Sequence, residues 1–136
     1  MQKSNNTARS RLLGFLGLCR RAGKTVLGTP MVCEELAKKK KPPLVLYSED
    51  ASAATKKRIE SKCRFYGVEA IALPVSTGEL AHLLGKSGDL AALAITDEGF
   101  ANAIREKIKA LRGEDAEPTN STGKEATPDG SSGDRI

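Results

Sequence analysis

Leu12, Phe15, Leu16 and Cys19 fall at i, i+3, i+4 and i+7, the stripe of a helix that turns one face to a core. This spacing predicts a first helix over residues 8–21, weakened at Gly14 and Gly17 and closed by Gly23. Thr25–Leu27 is a short β-type run, and Gly28 turns the chain. Thr29-Pro30 has the form of an N-cap followed by proline at the first helical position, so a second helix is expected to about Lys39. Val32 or Cys33, with Leu36, would form its inner side. Pro42-Pro43 breaks the pattern, and Leu44–Ser48 is the apolar run of a buried strand. Glu49–Ser52 offers caps for a helix near residues 53–65, with Ile59 and Cys63 inward and Gly67 ending it. Glu69–Leu73 is a third strand. Ser76-Thr77-Gly78-Glu79 has the spacing of a capping box and opens a helix through Leu80, Leu83 and Leu84. After a loop over residues 85–89, Leu90–Thr96 is the last strand. Asp97 caps a final helix, 98–112, on which Phe100, Ile104 and Ile108 recur every four residues. The order α-β-α-β-α-β-α-β-α predicts an α/β fold, one sheet covered by helices on both faces.

Charge adds an asymmetry to this picture. The 136 residues carry +5 overall, but residues 1–64 hold 15 bases and 5 acids, residues 65–112 hold 5 and 6, and residues 113–136 hold 2 and 6. A basic half suits a polyanionic partner, whose counterions are released on binding. Residues 113–136 contain only Ala116, Ala126 and Ile136 as apolar residues, too little burial to offset ordering entropy, and are expected to be a disordered acidic tail. Residues 1–112 are the expected folded domain. No apolar run approaches the length of about 18 residues that marks a membrane span, and residues 1–10 lack the apolar core of a secretory signal. Three widely spaced cysteines make no closed disulfide framework. A cytoplasmic protein without a membrane partner is the expectation.

Candidate chemistry is thin. Gly23-Lys24-Thr25 ends like G-x-x-x-x-G-K-[ST], but the first glycine of that motif would fall at Leu18, and a helix precedes it where a strand is needed. Glu49-Asp50 and Asp97-Glu98 each follow a predicted strand, where a pair of carboxylates can hold Mg²⁺ or exchange protons. Both pairs also stand at helix starts, where acids cap N–H groups, and capping is the favoured reading. Cys19, Cys33 and Cys63 lie among apolar residues without C-x-x-C spacing, and the one histidine, His82, stands without a nucleophile partner. No cofactor or metal signature appears. Aromatic residues are too few for a stacking platform on single-stranded RNA, and no RRM-type aromatic signature appears.

The segments Leu12–Lys24 (LLGFLGLCRRAGK), Leu44–Lys57 (LVLYSEDASAATKK), Cys63–Val68 (CRFYGV), Gly78–Lys86 (GELAHLLGK) and Ala94–Ala101 (AITDEGFA) carry no single decisive motif, and it is their order and spacing together that are informative. On these segments the chain resembles the L7Ae/L30e superfamily of RNA-binding ribosomal proteins, and within it the small bacterial L7Ae-like proteins of the YlxQ type. The resemblance implies a three-layer α/β/α sandwich around a four-stranded mixed sheet. It implies a non-enzymatic, monomeric protein that recognises structured RNA of the kink-turn kind, a sharply bent duplex with tandem G·A pairs, with ribosomal RNA or the ribosome as candidate partner. In the family, the turn and start of the second helix enter the major groove at the kink, and a loop before the last strand caps bases beyond it.

Carried onto this chain, the first element is Gly23, Lys24, Gly28, Thr29, Pro30 and Met31, and the second is Lys86, Ser87, Gly88 and Leu90. Arg20, Arg21 and the Lys38–Lys41 run would add phosphate contacts. The chain departs from the Gly-x-Asn-Glu-x-x-Lys pattern that the archaeal and eukaryotic kink-turn readers of the family carry at the second helix; the stretch here reads Gly28-Thr29-Pro30-Met31-Val32-Cys33-Glu34. Pro30 and Met31 stand where Asn and Glu would hydrogen-bond guanine edges, and Glu34 where a lysine would face phosphate. Base-specific reading is expected to be weakened and shape-based binding kept. The alternatives are a metal-assisted enzyme at the two carboxylate pairs and a protein-interaction module using the acidic tail or the helix faces.

Overall fold

The computed structural model describes residues 3–115, and within them the side chains of residues 8–113. Nine elements follow the predicted order: α1 (Lys3–Arg21), β1 (Thr25–Leu27), α2 (Thr29–Leu36), β2 (Leu44–Ser48), α3 (Ala53–Tyr66), β3 (Glu69–Leu73), α4 (Thr77–Leu83), β4 (Ala92–Ile95) and α5 (Glu98–Asp115). The chain forms two compact units. One is residues 13–105, which hold all four strands; the other, so far as it is described, comprises residues 3–12 and 106–115. Of the second unit, the described parts are the opening of α1 and the close of α5, with Ala8, Ile108 and Leu111 buried. α5 runs through residues 113–115, which were expected in the tail. The rest of that tail lies outside the described residues.

The sheet is mixed, in the order β1-β4-β2-β3. β4 is antiparallel to both β1 and β2, and β2 is parallel to β3. β1, β2 and β3 therefore finish at the edge where β4 begins, and they begin at the edge where β4 finishes. Every residue of β2 and β4 is buried, as expected of central strands covered on both faces. Side chains alternate between the faces. Val45, Tyr47, Ala92 and Ala94 meet Val32 and Leu36 of α2 and Ile59 and Cys63 of α3 in one cluster. Leu44, Leu46, Leu93 and Ile95 on the other face are equally buried, as are Leu12, Leu16, Leu80, Ala101 and Ile104 of the remaining helices. In that layer Phe15 meets Phe100 edge-on at 5.6 Å. The α/β sandwich with a four-stranded mixed sheet is thus the observed fold.

Local chemistry sets the boundaries. Ser52 and Ser76 cap α3 and α4 by accepting from Thr55 N and Glu79 N, and Asp97 Oδ2 accepts from Phe100 N at the start of α5. α2 differs from expectation at both ends. Its N-cap is Gly28, with Thr29 already helical and Pro30 in the first turn. It stops at Leu36 because the chain tightens there: Ala37 N–H and Lys38 N–H donate to Glu34 O and Glu35 O. Lys41 Nζ then folds back onto Leu36 O (2.9 Å) and Lys38 O (2.7 Å), satisfying carbonyls at the helix end. β4 starts at Ala92, two residues later than the apolar run begins, because Leu90 sits in the core as a loop anchor and its N–H donates to Thr77 O. Arg105 ties α5 to the sheet edge: Nε donates to Glu69 Oε1 (2.7 Å) and Nη2 to Pro43 O (2.8 Å).

Candidate nucleic-acid interface

The start of α2 is held by backbone. β1 pairs with β4 as Leu27 opposite Leu93, and one step on, Gly28 N–H donates to Ala92 O at 2.9 Å. Gly28 has φ 97° and ψ 142°, a conformation open essentially to glycine alone, and it turns the chain from strand into helix in a single residue. Glycine brings no side-chain cap, and Pro30 has no N–H. The N–H groups of Thr29 and Met31 are left at the positive end of the helix without a side-chain acceptor, a setting that suits phosphate. Pro30 and Met31 are exposed. Met31, at 49% exposure, presents a thioether to solvent where a polar side chain would be unremarkable.

The loop between α4 and β4 finishes beside this turn. Its far end is fixed by Leu90 in the core and by Ser48 N donating to Ala91 O. Its near end is fixed by Arg20 Nε, which donates to Leu84 O at 3.2 Å. Between these anchors Gly85 and Gly88 take positive φ, and Lys86, Ser87 and Gly88 are all exposed. Gly28, Thr29, Pro30 and Met31 thus share a sheet edge with the end of the loop that carries Lys86, Ser87 and Gly88, and Arg20 holds the start of that loop. Leu90, expected among the contacts, has 2% exposure; its side chain anchors the loop and is closed to a ligand.

Two predicted groups lie elsewhere. Gly23 ends α1 in the left-handed conformation, with Gly23 N–H to Arg20 O and Lys24 N–H to Cys19 O closing the helix. The turn therefore leads from helix to strand and is no phosphate loop. Lys24 O accepts from Thr96 N, so exposed Lys24 stands at the edge where β4 finishes. It is separated from Gly28 by the length of β1, about 13 Å of extended chain. Lys38 follows the C-terminus of α2, about 12 Å along that helix from Thr29, and pairs with Glu35 at 3.0 Å. The family resemblance grouped Gly23 and Lys24 with Gly28 in one element; the extended strand β1 between them puts them at opposite edges.

The same antiparallel pairing separates the two carboxylate pairs. Glu49-Asp50 follows the end of β2 and Asp97-Glu98 the end of β4, at opposite edges, so they form no common metal or acid–base site. Asp97 is engaged as a cap, and Glu98 lies 3.5 Å from Arg105 Nη1. No cluster of three or more metal-ligating side chains exists among the described residues. Burial pushes the thiols of Cys19 and Cys63 up to about 11, which keeps them neutral and poor nucleophiles. Tyr47 is likewise pushed up to about 12, first by burial and then by its hydrogen bond to Glu60. Sequence reasoning missed Phe65, an exposed ring two positions beyond Cys63 on α3; the predicted inward stripe of that helix already implied that this position faces out.

The fold, the glycine turn into α2 and the loop before the last strand define a class. The chain belongs to the ribosomal protein L7Ae/L30e/S12e/Gadd45 family, whose model matches residues 11–105. Among curated relatives it is 39% identical over 93 residues to the RNA-binding protein YlxQ of Bacillus subtilis (strain 168), covering 66% of this chain and 87% of that protein. It is 30% identical over 105 residues to the RNA-binding protein YlxQ of Enterococcus faecium, covering 77% and 98%. A solved structure of a protein of unknown function from Bacillus halodurans superposes with a TM-score of 0.65 at 26% identity, over 72% of this chain and 96% of that one. The 15.5kD RNA binding protein of Giardia lamblia shares the fold, with a TM-score of 0.62 at 16% identity over 78% and 88%.

Proposed function

We propose that this chain is an RNA-binding protein that holds a structured, kink-turn-like RNA, ribosomal RNA being the first candidate, at the sheet edge where α2 begins. The observation that carries this reading is the Gly28 N–H to Ala92 O bond, which sets an uncapped helix start beside the end of an exposed loop bearing Lys86. Both YlxQ relatives are named for RNA binding and align over most of their own length. Binding of this kind needs no catalytic group. Backbone N–H groups at Thr29 and Met31 would take phosphate oxygens, and Lys86 would add charge. Without Asn and Glu at positions 30 and 31, selection rests on the shape of the bent duplex more than on guanine edges. In this reading the chain works as a monomer on cytoplasmic RNA.

Gel-shift titrations with a kink-turn RNA, a straight duplex and a single strand at several salt concentrations test the proposal. The kink-turn is expected to bind tightest at every salt, with a shallower salt dependence for its margin over the duplex than for total affinity. Equal affinity for all three would reduce the reading to generic attraction between charges, and no binding at low salt would end it.

A further inference from the structure

The opposite edge of the sheet carries a second feature that the reading above does not use. Phe65, on the last turn of α3, is 80% exposed, the most exposed large hydrophobic residue of those described. It is not loose: its ring meets Tyr66 edge-on at 4.9 Å between centroids, and Lys41 Nζ lies 4.6 Å above the Tyr66 ring. Because Lys41 is also bonded to the carbonyls of Leu36 and Lys38, the end of α2 and the end of α3 are fastened together. Ser61, Lys62, Phe65 and Tyr66 line an open pocket of about 400 Å³. Lys62 lines it, Arg64 precedes Phe65 on α3, and Lys39 and Lys40 precede Lys41 in the chain; none of these four has an ion-pair partner among the described residues. An exposed aromatic face beside unpaired cations matches the chemistry of an unpaired nucleotide, which offers a flat base and a phosphate together.

We propose that the Phe65 edge is a second RNA contact, where an unpaired base next to the structured element stacks on Phe65 and its phosphates lie against Lys39, Lys40 and Lys62. This rests on the RNA-binding reading above and extends it to a single-stranded flank. The two contacts stand at opposite ends of α2, about 12 Å of helix, a span that a few nucleotides bridge. Phe65 buries little, so its replacement should leave the fold intact.

The test compares the full chain with its Phe65→Ala, Phe65→Trp and Lys39→Glu/Lys40→Glu variants. Each is titrated with a kink-turn RNA that either ends flush or carries an oligouridine extension on one or the other strand. One extended RNA is expected to bind wild type more tightly than the flush RNA. Phe65→Ala should lose at least about fivefold on the extended RNA, with the flush RNA unchanged, and Phe65→Trp should restore it. The lysine variant should also flatten the salt dependence of the extended RNA alone. If the extensions add no affinity, or Phe65→Ala weakens both RNAs equally, the second contact is wrong and the first stands. If sedimentation shows that Phe65→Ala dissociates a wild-type oligomer, the ring belongs to a protein interface and the proposal falls. Failure of wild type to bind either RNA overturns both readings.

Discussion

At the scale of single residues, positions 30 and 31 decide what the RNA edge can read. Proline offers no donor and methionine no strong polar atom, so neither can pair with a base edge. A bidentate contact to a base discriminates by about 1–3 kcal/mol. Pro30→Asn with Met31→Glu is therefore expected to raise the preference for a kink-turn over a straight duplex by roughly tenfold or more, measured as a ratio of dissociation constants. Because both residues are exposed, thermal stability should barely change. Cys19 and Cys63, both buried, make a different prediction. Burial raises each thiol from the ordinary 9.0 to about 11 in the folded chain. Between those values the unfolded chain has released the proton that the folded chain keeps, so stability present below pH 9 is lost as pH rises. Melting temperatures should fall across this interval, and a Cys19→Ala/Cys63→Ala variant should show less of the fall. Tyr47 extends the same trend higher, since its hydroxyl is raised from 10.0 to about 12.

At the scale of elements, the turn at Gly28 joins strand, helix and neighbouring strand in one residue. A Cβ at this position would touch nothing within 4 Å, so the cost of Gly28→Ala is conformational and not steric crowding. Holding a non-glycine residue in that conformation costs about 1–3 kcal/mol. The substitution should lower the unfolding free energy by that amount in denaturant titration. RNA affinity should fall as well, because relief of the strain would move the N–H groups of Thr29 and Met31. Elements of this kind were largely legible in the chain. The strands Thr25–Leu27, Leu44–Ser48 and Glu69–Leu73 and the caps Ser52, Ser76 and Asp97 follow from local pattern, because local sterics and hydrogen bonding determine them. The ends of α2 and the start of β4 were less so. Gly28 caps α2 through its pairing with β4, Lys41 closes α2 from five residues beyond its last residue, and Leu90 is drawn from strand to core. Each is decided by a partner outside the segment. Strand direction was the least legible feature: the antiparallel run of β4 against β2 separates Asp97 from Asp50, whereas β1 itself, visible in the sequence, separates Lys24 from Gly28.

At the scale of the whole molecule, the basic surplus of residues 1–64 does not form one patch. Antiparallel pairing of β4 sends Lys24 and the Lys38–Lys41 run to one edge of the sheet. Arg20, whose carbonyl accepts from Gly23 N, stands beside Lys24, and its side chain reaches to Leu84 O at the start of the loop that carries Lys86. Net charge draws any polyanion toward the protein; the placement of the charges selects which part of the RNA each edge meets. Two edges acting on different parts of one RNA should contribute independently, since substitutions more than about 7–10 Å apart with no shared partner usually add. Lys86→Glu is expected to weaken binding of the flush kink-turn RNA and to lower its salt slope by about 0.9, the loss of one phosphate contact on a duplex. Lys39→Glu/Lys40→Glu should leave the flush RNA nearly unchanged and weaken the extended one. Combining all three on the extended RNA should multiply the separate losses, measured as dissociation constants at one salt concentration. A combined loss far smaller than that product would mean that the two sets of lysines compete for the same phosphates, and the division of the basic charge between two edges would then have no functional counterpart.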